Sequence, residues 1–121
     1  MQPSLSLLVL RTSQIDAMLN LYRTLGLVFT QEQHGTGPIH YSCEFGGTVL
    51  EIYPGDEGRA PDRRNGGATS LGFRVQSVNE TLSALKLLGT PIITQPKDSQ
   101  WGRRAVIADP DGRTIEISQT N

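Results

Sequence analysis

The sequence contains one internal repeat, and this repeat limits what the chain can fold into. Leu8 and Leu71 stand 63 residues apart, and after an implied insertion of two residues Leu50-Glu51-Ile52 matches Ile115-Glu116-Ile117. Two units of about 60 residues are too few for a solenoid, so we expect one supersecondary unit present twice. Further pairs at the 63-residue spacing are Leu10 and Phe73, Ile15 and Val78, Leu19 and Leu82, Leu25 and Leu88, and Gly26 and Gly89.

Each copy has the pattern of one strand, one helix and three strands. Apolar residues recur at helical spacing over Ile15–Leu25, and Ser13 is the expected N-cap of this helix. In the second copy, Ser77 and Glu80 have the spacing of a capping box before a helix that runs to Leu88. The predicted strands are about Ser4–Arg11, Val28–Gln33, Ile39–Phe45, Thr48–Tyr53, Ser70–Val75, Ile92–Gln95, Arg103–Ala108 and Thr114–Ser118.

A chain of 121 residues suits a single domain. We expect a first module over about residues 1–53, a Gly-, Pro- and charge-rich linker over about 54–69, and a second module over about 70–121. The net charge of −1 predicts neither a nucleic-acid nor a membrane partner. A lone Cys43 and an N-terminus without a positively charged leader predict a cytoplasmic protein.

Alternation along the strands separates a helix-packed face from an open face. If Leu50 and Ile52 face a helix, Glu51 faces the other way, and the same reasoning applies to Glu116. We expect the two open faces to curve around one cup, which is the usual shape of a ligand site. Its predicted lining is Leu5, Leu7, Val9, His40, Ser42, Glu44, Glu51, Tyr53, Ser70, Arg74, Arg104 and Glu116.

The repeated units carry a family resemblance. Asp109-Pro110-Asp111-Gly112 followed by Thr114-Ile115-Glu116-Ile117, with Leu50-Glu51-Ile52 closing the first unit, resembles the vicinal oxygen chelate superfamily of glyoxalases, bleomycin-resistance proteins and extradiol dioxygenases. The resemblance covers essentially the whole chain. It implies an α+β fold, with two tandem βαβββ modules forming a cupped eight-stranded mixed sheet and helices on its outer face. It also implies a homodimer, in some members with exchanged modules.

Metal-dependent members that resemble glyoxalase I hold a divalent ion with residues from the first and last strands of each module. Those positions are Leu7, Glu51, Ser70 and Glu116 in this sequence. Leu7 has no donor atom and a serine hydroxyl is a poor ligand, so we expect no metal in the usual place. The alternative is a displaced site for Zn, Ni, Mn or Fe that uses Glu51, Glu116 and His40, with Glu44 as a fourth ligand.

Arginines are predicted on the same open face as the two glutamates. A guanidinium from Arg74 or Arg104 is a sufficient partner for a buried carboxylate that has no metal. Trp101-Gly102 resembles the pair found at this point in the bleomycin-resistance-like branch, where aromatic residues contact ligands; a rim residue covering the sheet edge is the alternative. The predicted ligand-binding residues are Leu7, His40, Ser42, Tyr53, Ser70, Arg74, Trp101 and Arg104.

Three functions compete. In the first, the protein binds a small organic molecule in the cup and sequesters it without changing its bonds, as a resistance protein does. In the alternative, it is a metal-dependent lyase, isomerase or dioxygenase of the superfamily, and Glu51 or Glu116 is the catalytic residue, for example a general base. In the third, it is a structural or regulatory dimer, and Arg59–Arg64 is a partner contact or, as the alternative we favour, a solvated loop.

Other conspicuous residues receive structural interpretations. Asp109-Pro110-Asp111-Gly112 is predicted to be a turn rather than a site. His34 precedes two loop glycines and is predicted to be a solvent-exposed loop residue. Cys43 falls on the helix-packed face, where we expect a small buried side chain rather than a nucleophile.

Overall fold

The computed structural model describes residues 2–55 and 69–120. In these residues one strand, one helix and three strands follow each other twice, as the repeat predicts. The first module contains β1 (Leu7–Thr12), α1 (Ile15–Thr24), β2 (Thr30–Glu32), β3 (His40–Phe45) and β4 (Thr48–Pro54). The second contains β5 (Ser70–Arg74), α2 (Val78–Leu87), β6 (Ile92–Ser99), β7 (Gly102–Ala108) and β8 (Thr114–Gln119).

Hydrogen bonds group the strands into two four-stranded sheets, one for each module. Their orders are β1-β4-β3-β2 and β5-β8-β7-β6, so the two sheets have the same topology. The first and last strands of each module pair in parallel and the other pairs are antiparallel. The expected α+β fold with eight strands in mixed sheets and paired βαβββ-like modules is therefore confirmed.

One apolar core joins the two modules. It contains the inward side chains of both sheets, among them Ile52 and Ile117, and the buried faces of α1 and α2, which contact each other. The Tyr22 ring of α1 meets the Phe73 ring of β5 edge to face, with 6.1 Å between their centroids. Because each sheet turns one face towards this core, its opposite face is left open and lies away from the helices.

The two helix starts differ from each other. At α2 the Ser77 side chain accepts a hydrogen bond from the Glu80 amide at 3.1 Å, which confirms the predicted cap. At α1 the N-cap is Gln14 rather than the predicted Ser13, and its side chain makes no capping bond. The Thr12 hydroxyl instead accepts from the Gln14 amide at 2.9 Å, so β1 itself supports the start of α1.

The turn between β7 and β8 links the modules. We call the cluster of Thr12, Tyr22, Asp109, Asp111 and Arg113 the inter-module clamp. Tyr22 Oη donates to Asp109 Oδ2 at 2.9 Å, and Thr12 Oγ1 donates to Asp111 Oδ1 at 3.1 Å. The Arg113 guanidinium donates to both buried carboxylates, at 3.3 and 3.0 Å. Burial and the Asp109 carboxylate raise the pKa of the Tyr22 hydroxyl well above its usual value.

Most of the predicted linker, including Arg59–Arg64, lies outside the described residues. Near the other end of the chain, β6 continues beyond the predicted Ile92–Gln95 to Ser99, with register shifts against β7 on either side of Thr94. In the part of the chain that the structure describes, no helix has the length and apolar character needed to span a membrane.

Candidate functional site

The open face of the first sheet is built around Glu51. β4 places this residue between Val9 of β1 and Ser42 of β3, its partners in the two strand pairings. Its side chain is 18% exposed, and its carboxylate lies 3.5 Å from His40 Nε2. Among the described residues no Lys or Arg forms an ion pair with Glu51.

His40 is the most enclosed residue of this face. It is 1% exposed, and its ring stacks on Tyr53 with 4.1 Å between centroids and 7° between planes. The Arg11 guanidinium lies 5.7 Å from the centre of the Tyr53 ring. His40 Nδ1 lies 3.2 Å from the Pro38 carbonyl oxygen. His40 Nε2 is buried and has no hydrogen-bond partner in the described part of the chain.

Two residues near His40 were not predicted to belong to a site. Glu32 pairs with His40 across β2 and β3, and its carboxylate lies 3.7 Å from His40 Nε2. His34 is exposed as predicted, but its ring centroid is only 5.1 Å from that of His40. The signal that identifies both residues is the hairpin register, because the His34–Gly37 turn brings residue 32 opposite residue 40.

The open face of the second sheet has a different composition. Arg104 Nε lies 3.4 Å from Glu116 Oε1, and both side chains are nearly half exposed, at 44% and 43%. This pair lies beside a cavity of about 230 Å³. The lining residues are Arg74, Ser99, Trp101, Gly102, Arg104, Glu116 and Ser118.

Trp101 stands at the rim of this cavity with 76% of its surface exposed. The next residue, Gly102, has a φ of +112°, and a Cβ there would lie 2.0 Å from the Gln119 carbonyl oxygen. No other residue fits without moving the backbone of β8. Because β7 approaches β8 so closely at Gly102, the backbone position of the neighbouring Trp101 is fixed.

The other predicted residues belong neither to the cluster around Glu51 and His40 nor to the Arg104–Glu116 pair. Leu7 pairs with Val49 and is 50% exposed, while Ser42 is half-buried opposite Glu51. The Ser70 hydroxyl donates to the Thr114 carbonyl at 3.0 Å and accepts from the Thr114 hydroxyl at 2.9 Å. Cys43 is buried on the helix-packed side, as predicted.

The residues at the usual metal-ligating positions do not fit a metal ion. Leu7 offers no donor atom, and the Ser70 hydroxyl is already bonded to Thr114. Glu116 is paired with Arg104, and Glu51 belongs to the other sheet. An ion there would have few donors and a guanidinium beside it, so no metal step is assigned to these four positions.

Comparisons with solved structures agree with this architecture. TnmS3, an antibiotic binding protein from Streptomyces sp. CB03234, is 23% identical with a TM-score of 0.69, over 99% of this chain and 98% of that chain. FosX, a fosfomycin resistance protein from Listeria monocytogenes, is 18% identical with a TM-score of 0.74, over 100% and 94%. An integron cassette protein from V. Cholerae is 25% identical with a TM-score of 0.65, over 100% and 98%.

The sequence comparison gives the family. No curated protein matches the chain. The family described as the Glyoxalase/Bleomycin resistance protein/Dioxygenase superfamily matches residues 4–117, which is nearly the whole length. With its paired βαβββ-like modules, the chain belongs to the Glyoxalase/Bleomycin resistance protein/Dioxygenase superfamily.

Proposed function

We propose that this protein binds a small organic anion on the open face of its second sheet and sequesters it without changing its bonds. The observation that carries the proposal is the cavity of about 230 Å³ beside Arg74, Trp101 and Arg104. It combines two cations and an exposed aromatic surface. Such a set suits a ligand that has both a planar ring and a negative group.

The Arg104–Glu116 pair supports a binding role rather than a catalytic one. Glu116 lies 3.4 Å from the Arg104 guanidinium, which can hold that side chain in one orientation beside the cavity. Arg carries further donors that remain available to a carboxylate or phenolate of the ligand. In this arrangement Glu116 positions Arg104, and no proton transfer by Glu116 is required.

The proposal includes a homodimer. The open face of each sheet lies opposite the side that packs on the common core, and we propose that a second copy covers it. Leu5 and Leu7, at the start of the first module, are 67% and 50% exposed and offer apolar surface to a partner. A second copy that places its first module over this cavity would close the cup, and sedimentation of the purified protein tests for the dimer.

Two similar structures support the same class of function. One is an antibiotic binding protein and the other is a fosfomycin resistance protein. In sequence these proteins are 23% and 18% identical to this chain, so they support the class and not a particular ligand.

Trp101 gives a direct measurement of binding because it is the single tryptophan of the chain. We would titrate the protein with a panel of planar aromatic carboxylates and phenolates and follow Trp101 fluorescence. Arg104→Gln should weaken binding about 10- to 100-fold, the range for hydrogen bonds to a charged group. Arg103→Gln is the matched control, because Arg103 bonds to Asn79 and Asp98 instead of lining the cavity.

The state of the recovered ligand separates sequestration from catalysis. After long incubation with the protein, the recovered ligand should have an unchanged mass by mass spectrometry. Conversion of the ligand, lost in Glu116→Gln, would contradict sequestration and favour the enzyme alternative. The binding proposal is also wrong if no compound of the panel binds, or if Arg103→Gln weakens binding as much as Arg104→Gln.

A further inference from the structure

Three side chains of the β2–β3 hairpin converge on one point of the first sheet. Glu32 on β2, His34 in the turn and His40 on β3 each offer a ligand atom, and these atoms lie within 4.8 Å of one another. We propose that this set, which we call the hairpin triad, binds one divalent transition-metal ion of the Zn²⁺, Co²⁺ or Ni²⁺ class, with the Glu51 carboxylate as a fourth ligand. The site is independent of the ligand cavity proposed for the second sheet.

The unpartnered ring nitrogen of His40 gives this metal site its strongest support. The Pro38 carbonyl, 3.2 Å from Nδ1, can only accept a hydrogen bond, so the proton of a neutral His40 belongs on Nδ1. Nε2 then presents a lone pair in a buried position with no donor to satisfy it. Metal-binding histidines have this arrangement, in which a backbone carbonyl fixes one nitrogen and the other is the ligand.

The charges around Nε2 favour a cation. Two carboxylates point at it, Glu51 from 3.5 Å and Glu32 from 3.7 Å. These distances are too long for good hydrogen bonds and bring three electron-rich groups together. In the described residues no Lys or Arg forms an ion pair with either glutamate. A divalent ion between these groups would satisfy all three at once.

The turn holds His34 beside the other ligands. Gly37 N donates to the His34 carbonyl at 3.0 Å, and Gly35 adopts a φ of +59° within that turn. The side chain of Gln33 donates to the Gly37 carbonyl at 2.9 Å and stabilises the same loop. The backbone of His34 is therefore placed by the hairpin, while its exposed ring is free to turn towards an ion.

The ligand atoms of the hairpin triad, which lie within 4.8 Å of one another, need only small side-chain movements to reach one ion. Metal–ligand bonds of about 2.1 Å in a tetrahedral site place the ligand atoms about 3.4 Å apart. Exposed His34 and partly exposed Glu32 can close the remaining gap, since His40 is held by Tyr53 and Pro38. Two imidazoles with carboxylates favour first-row transition metals over Ca²⁺ or Mg²⁺, which prefer oxygen ligands alone.

The test measures metal binding without any organic ligand. Protein stripped with a chelator and titrated with Zn²⁺ by calorimetry should bind one ion per chain. His34→Gln and Glu32→Gln should each lower the affinity more than about tenfold, since the loss of even a supporting group does so. Both residues lie at the surface or near it, so these variants should keep the fold.

Two controls separate this site from the others. Glu116→Gln removes the repeat counterpart of Glu51 and should leave Zn²⁺ binding unchanged. Arg104→Gln should also bind Zn²⁺ normally, so a failure of the proposed ligand cavity would not affect this result. In Co²⁺-loaded protein, visible absorption bands should appear and should be lost in His34→Gln.

The alternative to a metal ion between His40 Nε2 and the two carboxylates is a second proton on the His40 ring. Nitrogen NMR of the imidazoles distinguishes it: Zn²⁺ should shift the His40 Nε2 and His34 ring signals and leave the amides around Glu116 in place. The proposal is overturned if stripped protein binds no Zn²⁺. It is also overturned if His34→Gln and Glu32→Gln both bind it as tightly as the unaltered protein.

Discussion

The two modules share one topology and present opposite chemistry on their open faces. In the first, Glu32 pairs with His40, and His40 lies next to Glu51. In the second, Lys97 pairs with Arg104 in the same way, and Arg104 lies next to Glu116. The repeated glutamate thus meets an imidazole in one sheet and a guanidinium in the other.

This difference decides what each face can bind. Glu116 has a cation from its own chain, and the excess positive charge around it is available to an anion. Glu51 has no Lys or Arg in an ion pair among the described residues, and the neighbouring His40 Nε2 has no hydrogen-bond partner there. We therefore propose an anion as the ligand of one face and a metal cation as the ligand of the other.

The turns between the last two strands of the two modules also differ. The β7–β8 turn belongs to the inter-module clamp, and a substitution there has the largest expected effect on stability. Asp109 is fully buried between Tyr22 and Arg113. Asp109→Asn should lower the free energy of unfolding by about 3 kcal/mol, because it leaves Arg113 with one partner fewer inside the clamp. Chemical denaturation measures the loss. Glu44→Gln, at an exposed position before the β3–β4 turn, should change stability by less than about 0.5 kcal/mol.

The proposed metal site can be tested by giving Glu51 an arginine partner, as Glu116 has in the second sheet. His40→Arg should place a guanidinium beside Glu51 and lower Zn²⁺ affinity more than about 100-fold, which corresponds to about 2.7 kcal/mol. Calorimetry measures the affinity and circular dichroism checks the fold. Unchanged Zn²⁺ binding in a folded His40→Arg protein would remove the distinction between the two faces.

The smallest expected effect concerns pH. The pKa of an unfolded tyrosine is about 10, and burial beside Asp109 raises the pKa of Tyr22 above it. Above pH 10 the unfolded state therefore loses its proton first, and the stability contributed by neutral Tyr22 falls as the pH rises. Tyr22→Phe should cost about 1 kcal/mol at neutral pH and flatten this alkaline slope. Denaturation curves at several pH values give the slope, and an equal slope in both proteins would contradict the assignment.

The repeat and the helix signals were sufficient to predict the order of the elements. The apolar alternation of Leu50-Glu51-Ile52 and its copy correctly separates the helix-packed residues from the glutamates, because a strand has only two faces. The Ser77 cap of α2 is confirmed, and it is predictable because Ser77 and Glu80 are close in sequence.

Long-range contacts could not be predicted in the same way. The Asp109-Pro110-Asp111-Gly112 segment is a turn, but its bonds to Thr12 and Tyr22 depend on how the modules pack. The pairing of Glu32 with His40 depends on the register of a hairpin whose turn residues were interpreted only as a loop. Sequence periodicity assigns a face to each residue, but the choice of neighbour across strands needs the register.

The fit of Gly102 against β8 bears on how such a protein can evolve. Position 102 accepts only glycine, because any Cβ there meets the backbone of Gln119. Position 101 is largely exposed and can change without disturbing that fit. Under selection for a different ligand, we expect substitutions to accumulate at Trp101 while its neighbour stays invariant, so that specificity diversifies on a framework that remains the same.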